Sequence, residues 1–289
     1  MATTQHRYNV VPGPSATADG TEWRAVELIK LMSATPLIIG HRGASAVAPE
    51  NTLASFRRAI EAGADGIEFD VQLSRDGVPV IIHDDTLRRT GLRPERVVDL
   101  SVEELQNVDA GSWFSSTGDY RGEKIPTLQQ LFEDFSNNNA LLYLELKCNA
   151  FEIPEIVSAT ADLLEKYSIG DRTVVECFDL PAIEAMKQRA PDIKTAALFE
   201  PRFSNPSTLL SGQSLVARAL ASGADEIALH HRLANKRTIQ AARDSGLKVV
   251  VWTVDDPRWI QRSQDRGVDC LITNDPALMV RHRSKARTV

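Results

Sequence analysis

The sequence predicts an α/β protein, a (β/α)8 barrel of the TIM type with a small insertion over its C-terminal mouth. Three observations carry that prediction. Eight short apolar runs recur along the chain, each read as a strand. A helix-ending Gly followed two residues later by Asp introduces three of them: Gly63-Ala-Asp65, Gly223-Ala-Asp225 and Gly267-Val-Asp269. The length, 289 residues with 43% hydrophobic and 25% charged side chains, suits one closed barrel, which takes about 250 residues.

The predicted strands are Leu37–Ile39, Ile67–Val71, Leu142–Leu146, Thr173–Cys177, Thr195–Phe199, Glu226–Leu229, Lys248–Trp252 and Cys270–Thr273. The Gly of each helix stop can take the left-handed conformation, and a short turn then feeds the next apolar run. Ser245-Gly246 is a looser fourth copy. Alternation of this kind implies parallel strands joined by helices. A further run, Val78–Ile82, follows the hairpin signal Asp76-Gly77 and reads as an antiparallel return. Helices are expected at Asn51–Ala62, with Leu53, Phe56 and Ile60 on one stripe, and at Thr127–Phe135 behind the cap residue Thr127.

The barrel is expected over residues 36–280, after an N-terminal leader (1–35) and before a C-terminal tail (281–289). Residues 84–124 read as the insertion, with one helix at Ser101–Asn107. A formal charge of −6 argues against electrostatic binding to nucleic acid or an anionic membrane. The leader lacks the apolar core of a secretory signal, and no run approaches the ~20 apolar residues of a spanning helix. Cys148, Cys177 and Cys270 are scattered, without metal or disulfide spacing. The expectation is a soluble cytoplasmic protein without a stable membrane anchor. Its oligomeric state is not written in the sequence.

His41-Arg42-Gly43, Glu68-Phe-Asp70 and His83-Asp84 gather imidazoles, a guanidinium and carboxylates at predicted strand ends. Glu68 and Asp70 share a face if Gly66–Leu73 is a strand, and an unpaired buried carboxylate is costly, so something positive must face them. Glu145, two residues before Lys147 on another strand, can complete a three-carboxylate set for one divalent cation, Mg2+ or Ca2+. Alternatively Glu145 and Lys147 pair with each other. Arg42 suits phosphate oxygens, and Gly43 would admit backbone N–H groups to an anion. Glu50 could reach the site from behind, while Asn51 and Thr52 read as helix caps. Phe178 and Trp252 end strands and can line the mouth; Asn274 touches ligand or begins a turn. His230-His231 reads as structural.

In order, His41-Arg42-Gly43, Pro49-Glu50-Asn51-Thr52, Glu68-Phe-Asp70-Val71, Asp76-Gly77 to His83-Asp84, Ile125-Pro126-Thr127-Leu128 and Leu144-Glu145-Leu146-Lys147 resemble the glycerophosphodiester phosphodiesterase family. The likeness runs from Pro36 to Met279. It implies a metal-dependent barrel enzyme that releases sn-glycerol 3-phosphate and an alcohol from a small diester. It also implies His41 and His83 as the acid–base pair, Glu68, Asp70 and Glu145 as metal ligands, and Arg42 and Lys147 as phosphate contacts. The insertion would be the family's small cap. The chain departs from the family at Gly91-Leu92-Arg93-Pro94, which leaves leaving-group preference open; the arginines at 88, 89, 93 and 96 read as solvated charge.

Two other functions use the same residues. A lysophospholipase D-type hydrolase would need a wide apolar groove beside Phe178 and Trp252. A non-catalytic phospho-ligand-binding barrel would have no use for paired histidines.

Overall fold

The computed structural model describes residues 35–114, 119–201 and 211–286. The expected leader, apart from Thr35, lies outside the described residues. The elements in chain order are β1 (Leu37–His41), α1 (Leu53–Glu61), β2 (Gly66–Leu73), β3 (Pro79–Ile81), α2 (Val102–Gln106), α3 (Leu128–Asp134), β4 (Leu141–Leu146), α4 (Ile153–Tyr167), β5 (Thr173–Cys177) and α5 (Leu180–Arg189). There follow β6 (Lys194–Phe199), α6 (Gly212–Ala221), β7 (Glu226–His230), α7 (Lys236–Asp244), β8 (Lys248–Trp252), α8 (Arg258–Arg266), β9 (Cys270–Thr273) and α9 (Pro276–Ala286).

The hydrogen-bonded order β1-β9-β8-β7-β6-β5-β4-β2, closed by β1 against β2, is a parallel barrel. β3 is added antiparallel to β2, with Val71 opposite Ile81, as the Asp-Gly turn predicts. Gly77 takes φ +75° in that turn.

The recurring Gly-x-Asp loops do more than stop helices. Gly63, Gly223 and Gly267 all have positive φ. Two residues on, each Asp side chain accepts the backbone N–H of a neighbouring strand: Asp65 from Ile38, Asp225 from Thr195 and Asp269 from Val249, at 2.7–2.8 Å. One loop grammar therefore stitches three strand starts, each bond worth roughly 1 kcal/mol.

Two apolar layers result from the alternation of side chains along the strands. Ile39, Tyr143, Val174, Ala196, Ala228, Val250 and Ile272 fill the barrel interior. Ile38, Phe69, Leu144, Val175, Ile227 and Leu271 point outward against the helices, where Phe56 and Phe69 meet edge-on. The inward layer turns polar toward the strands' C-terminal ends, which makes that end the place for chemistry.

The insertion has a small apolar core of its own, in which Leu87, Val97, Leu105, Val108 and Ile125 pack on Val80 and Ile82. α2 is shorter than the helix expected at Ser101–Asn107, because Ser101 and Asn107 are its caps and Ser101 forms a capping box with Glu104. The helix expected to start at Asn51 starts at Leu53: Asn51 has φ +57°, and Thr52 is the cap. Residues 281–286, expected in the tail, continue α9, where Arg283 is buried and pairs with Asp65. Among the described residues no helix is long and apolar enough to cross a membrane.

Candidate active site

β1 delivers His41 as its last residue, in register with Glu68 on β2. Farther up, Asp70 lies in register with Glu145 on β4, and Glu145 with Glu176 on β5. Because strand partners in a parallel pair point to the same side, these carboxyls all enter the barrel. Carboxylate oxygens of Glu68, Asp70 and Glu145 lie within 4.8 Å of one another, and all three residues are buried. Lys147 follows β4 and sits 3.1 Å from Asp70 and 2.7 Å from Glu145, so the expected Glu145–Lys147 pairing and the carboxylate cluster coexist.

Immediately after β1 the chain turns sharply. Arg42 has φ +54° and Gly43 φ +84°. A Cβ on Gly43 would stand 2.4 Å from Ser55 Oγ. Its N–H is spent on the Gly40 carbonyl at 3.1 Å, so Gly43 does not offer a backbone cradle for an anion, contrary to expectation. Glycine is there to let the turn press on α1. The strained turn aims Arg42 back across the site: its N–H donates to Glu68 (2.9 Å), Nη1 donates to Glu50 (2.8 Å) and Nε lies 3.1 Å from Asp70.

His41 is oriented from behind. The Asn274 amide donates to Asp255 at 2.7 Å, which fixes its carbonyl oxygen toward His41 Nδ1, also at 2.7 Å. That oxygen can only accept, so Nδ1 carries the proton and Nε2 presents a lone pair to the site, 3.9 Å from Glu68. Burial, and then the charge of Arg42, pushes the His41 pKa down to about 4. It is neutral at pH 7 and able to accept a proton. His83 Nδ1 contacts the carboxylate of Asp84 at 2.7 Å, which leaves its Nε2 free to face the cavity.

The carboxyls differ in their environments. Burial and then Asp70 push Glu68 well above the usual range. Burial also acts on Asp70, but Lys147 and Arg42 outweigh it and hold that group low. Glu145 is pushed up to about 7 by burial, against the pull of Lys147. Asp70 Oδ1 and Glu145 Oε1 are buried within ion-pair range of Lys147 but in no hydrogen bond. Three converging carboxylates, two of them with an oxygen in no hydrogen bond, are the donor set that a hard divalent cation takes, so the residues fit one.

A cavity of about 490 Å³ opens over this cluster, lined by His41, Arg42, Glu68, His83, Glu145 and Lys147 together with Glu176, Phe178, Leu198 and Trp252. Phe178 and Trp252, both in its lining, meet edge-on at 5.6 Å.

With this geometry established, comparison with known proteins is informative. The model of the glycerophosphoryl diester phosphodiesterase family matches residues 41–278. The chain belongs to that family. A glycerophosphodiester phosphodiesterase of Caldanaerobacter subterraneus is 33% identical over 246 residues, covering 84% of this chain and 96% of that protein. One of Bacillus subtilis is 30% identical over 253 residues, covering 84% of each. Among solved structures, an Oleispira antarctica phosphodiesterase in complex with the product sn-glycerol-3-phosphate superimposes with TM-score 0.77 at 29% identity, covering 88% of this chain and 98% of that one. This family member is an enzyme on a barrel whose metal-competent cluster lies at the mouth.

Four contributors escaped the sequence reading. Asn51, read as a cap, instead donates to Asp70 at 2.8 Å. Asp255 fixes Asn274. Arg89, read as solvated charge, chelates Glu50 and Asp84. Glu176 is 1% exposed. Only Glu176 had a local signal, a carboxylate in an otherwise apolar strand, the same signal that singled out Glu68.

Proposed function

We propose that this enzyme hydrolyses glycerophosphodiesters to sn-glycerol 3-phosphate and an alcohol, with a divalent cation at Glu68, Asp70 and Glu145 and with His41 and His83 as base and acid. The observation that carries this reading is one cavity bounded by both imidazoles, both phosphate-seeking cations and two of the three clustered carboxylates. When bound, Mg2+ or Ca2+ would withdraw charge from a phosphoryl oxygen and acidify a neighbouring hydroxyl or water.

The protein's own groups supply the rest. Arg42 and Lys147 take phosphate oxygens, exchanging part of their present contact with the carboxylates. His41, neutral and with Nε2 unprotonated, removes the nucleophile's proton. His83 gives a proton to the departing alkoxide from Nε2 while Asp84 holds Nδ1. Arg42 and Asn51 fix the orientation of Asp70.

A second groove of about 650 Å³ continues from Glu145, Lys147 and Phe178. Leu73, Leu146, Ile156 and Leu180 line it together with Arg96, Asn149, Glu152 and Asp179. An acyl chain would desolvate those polar groups, so the lining supports a polar head group over a lysolipid tail. The free thiols fit a reducing compartment, and the cytoplasm is the proposed location.

The test is glycerol 3-phosphate release from glycerophosphocholine and glycerophosphoethanolamine with Mg2+, Ca2+ or EDTA, comparing the native chain with His41→Ala and Glu68→Ala. Metal-dependent release lost in both variants is expected. Cleavage of lysophospholipid alone would make the lysophospholipase D-type reaction the right one, and no cleavage of any diester would favour a binding barrel.

A further inference from the structure

The three cysteines are not equivalent. Cys270 lies in the barrel interior, where its sulfur touches the Tyr143 hydroxyl at 3.3 Å. Cys148 and Cys177 stand together on the outer side of the barrel wall. Cys177 ends β5 in the outward apolar layer that also holds Leu146, the last residue of β4. Cys148 packs against that layer two residues on, on the side that Leu146 takes. The Cys177 sulfur lies 3.1 Å from the Leu146 carbonyl and receives the Asp179 N–H at 3.3 Å. Its single S–H also has the Cys148 sulfur within hydrogen-bonding reach. Both residues line the groove of about 650 Å³ that runs on from the active site, Cys148 half-buried and Cys177 buried.

Their chain neighbours face the other way. Lys147 and Phe178 line the catalytic cavity, with the Lys147 ammonium 5.8 Å from the centre of the Phe178 ring. We propose that Cys148 and Cys177 are a modification site, a dithiol that a hydroperoxide closes to a disulfide, and that the bond lowers turnover by drawing the strand end that carries Lys147 toward β5. The Cys148 thiolate attacks the peroxide; its sulfur is oxidised to a sulfenic acid as the O–O bond breaks, and the departing oxygen takes a proton. The Cys177 sulfur then displaces hydroxide from Cys148, and the Cys177 proton turns that hydroxide into water. Two thiols have lost two electrons, and the peroxide has gained them. Cys148 is the attacking sulfur because it is the more open of the two. The Cys177 thiol beside it also pulls its pKa below the usual value, whereas donating that bond, and then burial, pushes Cys177 up. Such a pair suits a reducing compartment, where disulfides are transient and redox-sensing. Formation of the bond is independent of the phosphodiester reading; only its effect on turnover rests on that reading.

The experiment treats the reduced, metal-supplemented full chain with hydrogen peroxide and reads both its covalent state and its glycerophosphodiester turnover. The three cysteines fall in three different tryptic peptides, so a cross-link names its partners. Expected are an intact mass lower by two hydrogens, a cross-linked peptide pair holding Cys148 and Cys177, and recovery of the thiols with dithiothreitol. Turnover should fall by about tenfold or more and return with the reductant, the scale of a displaced catalytic contact. Cys148→Ser, which removes the attacking sulfur, should keep its turnover through the same treatment. Cys177→Ala should stop at the Cys148 sulfenic acid, which dimedone traps. Thiols that stay free in the native chain, a Cys148 that goes to sulfinic acid without cross-linking, or a cross-link that joins Cys270 or two chains overturns the pairing. A Cys148–Cys177 bond that leaves turnover unchanged overturns its effect on Lys147. If the reduced chain cleaves no diester, the phosphodiester reading fails, while the cross-link still decides the cysteine pair.

Discussion

Arg89 grips Glu50 through two hydrogen bonds, 2.5 Å from Nη1 to Oε2 and 2.8 Å from Nη2 to Oε1. The same guanidinium donates to both oxygens of Asp84 at 2.8 and 2.9 Å. Glu50 in turn holds Arg42, and Asp84 holds His83. One arginine of the insertion thus braces a proposed phosphate ligand and a proposed acid from outside the cavity.

Replacing Arg89 should therefore reduce turnover without removing any group from the cavity. Arg89→Gln is expected to lower kcat/KM by roughly a hundredfold, the scale of a misplaced catalytic group. Arg89→Lys should recover little, since an ammonium cannot chelate two carboxylates in one plane. Steady-state kinetics with circular dichroism as the fold control checks this; native-like kcat in Arg89→Gln would refute the bracing role.

The pH profile follows from His41. A base must be unprotonated, so activity is lost as pH falls through its pKa, which burial and Arg42 lower to about 4. With metal present, the acid limb of kcat/KM should have its midpoint near pH 4. A midpoint between 6 and 7 that stays put as metal concentration is raised would mean that His41 is not the base, whereas one that moves to lower pH with added metal reports protonation of Glu145 in competition with the ion.

Stability without metal should have an unusual slope. The folded pKa of Glu145, about 7, lies above its ordinary 4.5. Its contribution is therefore fully present below pH 4.5 and disappears as pH rises through 7, on the order of 3 kcal/mol. In EDTA the Tm should drop by about 5 °C over that interval. Glu145→Gln should make the drop shallower, with Glu68 still contributing, and a divalent cation at a hundred times its Kd should add about 2.7 kcal/mol to the native chain at pH 8. Differential scanning fluorimetry across pH decides; a flat profile in EDTA contradicts the placement of Glu145.

Gly43 and Gly122 make a controlled pair. Both have φ near +85°, but a Cβ at Gly122 meets nothing within 4 Å, whereas one at Gly43 strikes Ser55. Gly122→Ala should cost about 1 kcal/mol of left-handed strain, and Gly43→Ala about 3 kcal/mol with loss of activity as Arg42 is displaced. Urea denaturation and glycerol 3-phosphate release measure the two effects. Equal costs would remove the steric argument for the turn.

The sequence by itself determined the barrel and the residues nearest its chemistry. Strand alternation marked Glu68, Asp70 and Glu145, because a carboxylate in an apolar strand is anomalous within a few residues, and the Gly-x-Asp loops declared parallel strands for the same local reason. What only the tertiary structure decided was who stands beside whom. Arg89 looks like any surface arginine until the insertion folds back on Glu50. Asn51 looks like a cap until β2 places Asp70 beside it, and Asn274 looks like a turn residue until β8 and β1, paired to either side of β9, bring Asp255 and His41 to its two ends. Those pairings form between residues on different strands and loops, and they exist only because the closed parallel sheet and the folded insertion bring those ends to one mouth.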